Sequence, residues 1–167
     1  MPRVYVAAGS NIDPARNLAR ATALLEQRFG PLTRSPWYRN AAVGFAGDDF
    51  INFVVGFDTQ LPVEEVVAGL REVELVCGRP RAAPKWAPRA MDLDILLYGD
   101  LVCERPGLAL PRPDLLLRPY MLGPLADVAP DLRHPVAGAS IAELWQRFDR
   151  GAHVLHPVPA AGATPCP

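Results

Sequence analysis

The segment Met91–Tyr98, with the sequence MDLDILLY, decides the fold prediction because acids and aliphatic side chains alternate in it. A period of two is typical of a β-strand, in which residues i and i+2 share a face. Asp92 and Asp94 are therefore predicted on one face, with Cα atoms roughly 6.7 Å apart. The aliphatic side chains are predicted to point into the core: Leu93, Ile95 and Leu97.

The two carboxylates of this strand can be interpreted in two ways. At an effective dielectric constant of ~20, two negative charges at that separation repel by about 2.5 kcal/mol. Solvent removes most of this cost on an open surface, where Asp92 and Asp94 would be two hydrated side chains. In a cleft a divalent cation would remove it. Aspartate is disfavoured in strands, which favours the functional interpretation.

The loop before the strand is basic, since residues 79–89 contain four cations and no acid, while the whole chain has a net charge of −1. One concentrated basic segment fits a small anionic ligand better than a nucleic acid, which needs a broad basic face. Mg²⁺ is held by carboxylates together with substrate phosphates, and arginine matches phosphate oxygens bidentately. The two segments together are typical of phosphoryl transfer, although an ordinary solvated basic loop is the alternative.

The usual phosphate-binding loop is missing from the sequence. There is no G-x-x-x-x-G-K-[ST] motif, and the only lysine, Lys85, lies between Pro84 and Trp86. If the protein handles a nucleoside triphosphate, arginines and metal ions must therefore replace that loop.

The element order predicts the fold class. Strands are predicted over 4–8, 32–42, 50–58 and 91–98, and helices over 14–29 and 62–77. The order β-α-β-β-α-β is that of an α+β, ferredoxin-like fold, an antiparallel sheet with helices packed on one face. Additions follow it: a hairpin arm over 101–110 that pairs back on the preceding strand, short helices within 115–129 and a last helix over 141–148.

Length and composition predict the organisation and the compartment. With 167 residues, 50% hydrophobic and 21% charged, the chain is expected to form a single domain over 1–150. Residues 151–167 carry no charged side chain and are predicted to form a flexible tail. The chain enters its first strand directly and has no long apolar run, so that neither a signal peptide nor a membrane span is expected. Three scattered cysteines fit a reducing cytoplasm.

Several single residues are weaker candidates. Asn52 interrupts an apolar strand and could recognise the edge of a heterocycle, although such an amide more often bonds a nearby loop. Glu74 and Arg71 lie beside the basic loop and could belong to the site, although an ion pair on the surface is the alternative. Three aromatic residues could stack on a flat ring, although core packing is the default: Trp37, Phe50 and Tyr120.

Residues 78–99 carry a longer pattern, Gly-Arg-x-Arg-(x)4-Trp-x-Pro-Arg-x-x-Asp-Leu-Asp-Ile-Leu-Leu-Tyr-Gly. This pattern closely resembles the signature of the 6-hydroxymethyl-7,8-dihydropterin pyrophosphokinase family. The resemblance extends over about residues 3–150. Supporting segments occur in the family's order: Gly9-Ser10-Asn11, Phe50-Ile51-Asn52, Glu72-Val73-Glu74-Leu75, Leu110-Pro111 and Arg118-Pro119-Tyr120.

The resemblance implies a transferase of folate biosynthesis. It would transfer pyrophosphate from ATP to the hydroxymethyl group of 6-hydroxymethyl-7,8-dihydropterin, giving AMP and the pterin diphosphate. Asp92 and Asp94 resemble ligands of two Mg²⁺ ions that bridge the phosphates and the acceptor hydroxyl. The general base is not identified by the resemblance. A monomer in the cytoplasm, without nucleic-acid or membrane partners, is expected.

The resemblance also implies roles for individual residues. Catalysis is assigned to the carboxylate pair and to the basic loop that closes over the substrates: Asp92, Asp94, Arg79, Arg81, Trp86 and Arg89. The resemblance assigns the binding of ATP to six residues: Glu74, Arg79, Arg89, Ile95, Arg112 and Arg118. The pterin is assigned to Asn40, Val43, Phe50, Asn52, Trp86 and Tyr120. Two positions depart from the family pattern, since Arg112 stands where a histidine is usual and Asn40 where a threonine is usual.

Two other classes of protein use the same kind of sheet. A nucleotidyl cyclase or polymerase-palm relative would act on the α-phosphorus of the nucleotide and release pyrophosphate. A binding module for RNA or another ligand would need exposed aromatic residues on its central strands, and Asp92 and Asp94 would repel phosphate there.

Overall fold

The computed structural model describes residues 1–41, 47–78, 90–150 and 154–158, and an antiparallel sheet lies at its centre. The strands are β1 (Arg3–Ser10), β2 (Thr33–Arg34), β3 (Trp37–Asn40), β4 (Phe50–Asp58), β5 (Asp92–Tyr98), β6 (Cys103–Arg105), β7 (Leu108–Leu110) and β8 (His156–Val158). The helices are α1 (Pro14–Phe29), α2 (Val63–Val76), α3 (Pro119–Val128) and α4 (Ile141–Arg147), with a 3-10 turn at Pro113–Leu116.

The main sheet has the strand order β5-β1-β4-β3-β8, with β2 also paired to β4, so that β5 is an edge strand. Helices α1 and α2 pack on one face through apolar stripes that include Leu18, Leu25, Val66 and Leu70. We call this the α2 face. The observed order β1-α1-β3-β4-α2-β5 confirms the predicted ferredoxin-like core.

The opposite face of the sheet is covered as well, by helices that follow the ferredoxin-like core and for which no face was predicted. Tyr5, Ala7 and Val54 form a second apolar cluster with the buried side chains of α3, which include Met121 and Leu125. Strands β1 and β4 are almost continuously buried, and such strands need a cover on both sides. We call this second side the α3 face.

A bulge in β5 separates two parts of the strand. Val6 pairs with Ile95 and Tyr5 with Leu97, so that Leu96 is the extra residue. Leu93 and Ile95 pack on the α2 face, whereas Leu97 packs on the α3 face. Leu97 is buried as predicted, but on the face opposite to Leu93 and Ile95, because strict alternation stops at the bulge. Asp92 and Asp94 precede the bulge and share a face as predicted.

One prediction for the later part of the chain needs correction, and one strand there was not predicted. Strands β6 and β7 pair with each other and not with β5, because the chain turns back at Gly107, whose φ is 77°. Residues 156–158, which fall within the predicted flexible tail, add strand β8 to Trp37–Arg39. The predicted limit between domain and tail stays a prediction. No helix in the described part of the chain is long and apolar enough to cross a bilayer.

His134 predicts a loss of stability in mild acid. The side chain is buried, its Nδ1 accepts hydrogen bonds from the backbone N–H groups of Val136 and Ala137, and burial lowers its pKa below the ordinary 6.5. A lowered pKa in the folded state contributes stability above the unfolded pKa, and this is lost as the pH falls through the folded value. We expect the free energy of unfolding to fall more between pH 7.5 and 5 than in a His134→Asn variant, measured by urea unfolding. Equal losses in both chains would contradict this role of His134.

Candidate active site

Four residues form a row across one end of the sheet on the α3 face. The strand register places Asp92 opposite Gly9, Gly9 opposite Asn52, and Asn52 opposite Tyr38. Directly opposed residues of antiparallel strands project to the same side. With neighbouring strands ~4.8 Å apart, Asp92 and Asn52 lie about 10 Å from each other. Because Gly9 between them has no side chain, the space above its backbone is left to the neighbouring side chains of the row.

Asp94 lies beside this row, opposite Ala7 of β1. Its carboxylate is partly buried, and Asp94 Oδ1 lies 3.6 Å from Nη1 of Arg112. Neither Gly9 nor Ala7 carries a side chain larger than a methyl group next to the two carboxylates. The structure therefore presents Asp92 and Asp94 together on one face, with a cation at the edge of the pair.

Asn52 is held in place from two sides. It is buried, and its Nδ2 donates a hydrogen bond to Oδ1 of Asn40. A Cβ atom on Gly9 would lie only 2.3 Å from Oδ1 of Asn52, so that the amide occupies the space a side chain would need there. The amide of Asn52 can therefore lie where it does because position 9 carries no side chain. This role of Gly9 could not be predicted from the sequence, because only the strand register reveals it.

Tyr38 closes the row at its far end. Its hydroxyl donates a hydrogen bond to Asp127 of α3, and burial, followed by Asp127, raises the pKa of Tyr38 to about 12. This bond joins β3, which carries Asn40, to the helix that covers the face. Neither residue was predicted as part of the site, because the two are 89 positions apart along the chain.

Tyr120 lies at the start of α3, near the carboxylates. Burial raises the pKa of its hydroxyl, and the nearby charges of Arg118 and Asp94 act on it in opposite directions. Phe50 begins β4 and pairs with Asn40, which places it on the same face as Asn52. The structure therefore brings these predicted site residues to the α3 face: Asn40, Phe50, Asn52, Asp92, Asp94 and Tyr120.

The predicted ATP residues Glu74 and Ile95 lie on the other side of β5. Glu74 is buried on α2 and forms an ion pair with Arg71. A narrow cleft beside them is lined by Leu70, Arg71, Ile95, Leu108 and Arg112. Arg112 lines this cleft and also lies next to Asp94, while its backbone N–H donates to the Leu96 carbonyl at 2.9 Å. It therefore reaches both sides of the open edge of β5.

The remaining predicted residues lie outside the described part of the chain: Val43, Arg79, Arg81, Trp86 and Arg89.

The two carboxylates fit a magnesium site that a substrate completes. Among the described residues no group of three or more His, Cys, Asp or Glu side chains could hold a metal ion. Mg²⁺ commonly takes only one or two carboxylates from a protein and fills its coordination shell with substrate phosphates and water. Asp92 and Asp94, on one face beside small residues, provide that set of donors.

The fold and the site together are typical of metal-dependent transferases that act on phosphates. An antiparallel ferredoxin-like sheet presents paired carboxylates, with Arg112 beside them and the amide side chains of Asn52 and Asn40 further along the same face.

Comparison with known proteins identifies the family. Residues 5–130 match the model of 7,8-dihydro-6-hydroxymethylpterin-pyrophosphokinase (HPPK). A 2-amino-4-hydroxy-6-hydroxymethyldihydropteridine pyrophosphokinase of Synechocystis sp. is 38% identical over 147 residues, covering 86% of this chain and 75% of the relative. The enzyme of that name from Pseudomonas aeruginosa is 41% identical over 138 residues, covering 80% and 84%. The chain belongs to the HPPK family, as the sequence pattern predicted.

The solved structures support the fold. The HPPK-DHPS protein of Plasmodium falciparum aligns with a TM-score of 0.67 at 14% identity, over 87% of this chain and 43% of that one. At this identity the likeness shows the fold alone, and it confirms the α+β prediction. This chain spans less than half of that solved chain.

Proposed function

We infer that this protein transfers a pyrophosphoryl group from ATP to the hydroxymethyl oxygen of 6-hydroxymethyl-7,8-dihydropterin, releasing AMP, as a step of folate biosynthesis. The match of residues 5–130 to the pyrophosphokinase family carries this conclusion. It makes the protein an ATP-dependent diphosphotransferase, and the geometry of the site supports a separate binding region for each substrate.

The pterin is proposed to bind on the α3 face, next to the backbone of Gly9 and the amide of Asn52. The amides of Asn52 and Asn40 offer donors and acceptors to the edge of a flat heterocycle, and they are already fixed by their mutual hydrogen bond. Phe50 and Tyr120 would pack against the ring, where aromatic surfaces stack favourably. We also propose contacts from Val43 and Trp86, which rest on the family resemblance.

ATP is proposed to bind around the open edge of β5. The cleft lined by Leu70, Ile95 and Leu108 would take the nucleoside, with Glu74 beside it. The triphosphate would then follow the edge toward Asp94, within reach of Arg112 and Arg118. We propose that the basic loop closes over it and supplies further phosphate contacts and water exclusion through Arg79, Arg81, Trp86 and Arg89.

Asp92 and Asp94 would hold Mg²⁺, for which we propose two ions. The metal supplies positive charge to the phosphate oxygens where negative charge develops. The carboxylates would hold the metal ions at β5, the strand that lies between the α3 face and the cleft and therefore between the two proposed substrate regions. The acceptor hydroxyl on the pterin side and the β-phosphorus on the nucleotide side would thus meet beside the carboxylate pair.

We further propose that the protein acts as a monomer in the cytoplasm and has no nucleic-acid partner. The partly buried carboxylates of Asp92 and Asp94 would repel a polyphosphate backbone that brings no metal. Size-exclusion chromatography with light scattering tests the first part of this proposal.

Product analysis tests the proposed reaction directly. With ATP, Mg²⁺ and the hydroxymethyl pterin, we expect AMP and the pterin diphosphate in equal amounts. Release of inorganic pyrophosphate would instead indicate attack on the α-phosphorus, as in the cyclase or polymerase class. A pterin with a methyl group in place of the hydroxymethyl group is the control, since it lacks the acceptor oxygen and should leave ATP unconsumed.

A further inference from the structure

Arg112 lies between two carboxylates without a close hydrogen bond to either. Its Nη1 is 3.6 Å from Asp94 Oδ1, and its Nη2 is 3.5 Å from Asp114 Oδ2. Both distances exceed the 2.7–3.2 Å range of ordinary N–H···O bonds. The Nε atom is buried and has no hydrogen-bond partner within the described residues. The guanidinium is therefore held by charge, and part of its donor capacity is unused.

The position of this cation matters for any metal that binds Asp94. A divalent cation on the Asp94 carboxylate would lie within a few ångströms of the guanidinium, and like charges so close repel strongly. The carboxylate cannot serve both cations at full strength. Arg112 also lines the cleft proposed for the nucleoside triphosphate, whose oxygens match a guanidinium well.

We propose that Arg112 is an internal counter-ion of Asp94, which weakens the binding of divalent cations until a nucleoside triphosphate is present. The phosphate oxygens then attract the guanidinium to the cleft side of β5 and leave Asp94 to the metal. The inference rests on the proposed function, because it takes Asp92 and Asp94 as the metal ligands. The metal would accordingly bind much more tightly with the nucleotide than without it.

Binding of Mn²⁺, followed by its electron paramagnetic resonance signal, tests the proposal without turnover. In the absence of nucleotide, we expect Arg112→Gln to bind Mn²⁺ about tenfold more tightly than the unchanged protein, since one positive charge beside the ligand is removed. Arg112→Lys keeps the charge and should stay within about threefold of the unchanged protein. Arg105→Gln is the matched control, because this exposed arginine pairs with Glu64 at the far end of α2.

The difference should shrink when a non-hydrolysable ATP analogue is added. The guanidinium then contacts phosphate in the unchanged protein, so that its removal no longer favours the metal. If Arg112→Gln binds no more Mn²⁺ than the unchanged protein without nucleotide, the counter-ion proposal is overturned. The same follows if the lysine and glutamine variants gain equally, because the effect would then be steric.

An Asp94→Asn variant separates this proposal from the proposed function. If that variant binds Mn²⁺ with the ATP analogue as tightly as the unchanged protein, Asp94 is not a metal ligand and the proposed site itself is wrong. If Asp94→Asn abolishes binding while Arg112→Gln has no effect, the site stands and only the counter-ion role fails. Circular dichroism of each variant checks that the fold is kept.

Discussion

Replacing Asp94 by asparagine is expected to lower kcat by about a thousandfold while the thermal unfolding midpoint changes by only a few degrees. The amide keeps the shape of the carboxylate but loses the charge that would hold Mg²⁺. A metal ion supplies several kcal/mol of transition-state stabilisation, and about 4 kcal/mol corresponds to three powers of ten in rate. The same loss is expected for Asp92→Asn.

The small effect on stability has its own physical reason. The two carboxylates repel each other by about 2.5 kcal/mol at an effective dielectric constant of ~20, and the substitution removes that repulsion. The substitution also removes the ion pair with Arg112, in which Nη1 of Arg112 lies 3.6 Å from Oδ1 of Asp94. The side chain of Arg112 is 31% exposed and that of Asp94 is 26% exposed. Such partly exposed pairs contribute about 0–1 kcal/mol. The substitution of Asp94 should therefore lower kcat strongly and change the stability of the fold only slightly.

Asp100→Asn is the matched control for both variants. It removes the same charge from the exposed turn after β5, about 20 Å along the strand from Asp94. Its kcat should stay within about twofold of the unchanged protein, as is usual for a surface substitution away from the site. Steady-state kinetics at saturating ATP and pterin measures all three variants. Normal turnover in Asp94→Asn with intact folding would exclude Asp94 from the metal site.

Strand β5 could be predicted because one local rule governs it. The alternation in Met91–Tyr98 placed Asp92 and Asp94 on one face without any knowledge of the neighbouring strands. The same rule does not give the face on which Leu97 is buried, since a bulge depends on how β5 aligns with β1, and nothing local to β5 records that alignment. A period predicts a face only as far as the pairing stays regular.

Contacts between distant segments could not be predicted from local patterns. The hydrogen bond from Tyr38 to Asp127 requires α3 to cover the second face of the sheet. No face was predicted for the helices that follow the core. The near-continuous apolar runs of β1 and β4 were the available signal, because strands that are apolar on both faces need two covers. The pairing of His156–Val158 with β3 had no comparable signal in the sequence.

Gly9 shows how a residue with no side chain can be the most constrained position of a site. Replacing it by alanine is expected to lower kcat/KM for the pterin about a hundredfold and to leave the KM for ATP nearly unchanged. The new Cβ would lie 2.3 Å from Oδ1 and 3.3 Å from Cγ of Asn52, so that the amide must move away from its place in the row. Loss of one buried, well-placed amide costs about 2–3 kcal/mol of recognition, which is roughly two powers of ten.

Gly56→Ala provides a control of the same chemistry in the same pair of strands. Its Cβ would meet Cε1 of Tyr5 at 2.7 Å, so this variant also forces a side chain to shift. Gly56 lies four residues along β4 from Asn52, about 13 Å away. Both variants should lower the unfolding midpoint to a similar extent, but only Gly9→Ala should lose pterin affinity, measured by calorimetry with a non-hydrolysable ATP analogue. Equal pterin affinities in the two variants would show that Asn52 does not contact the pterin, because moving the Asn52 amide would then not weaken binding.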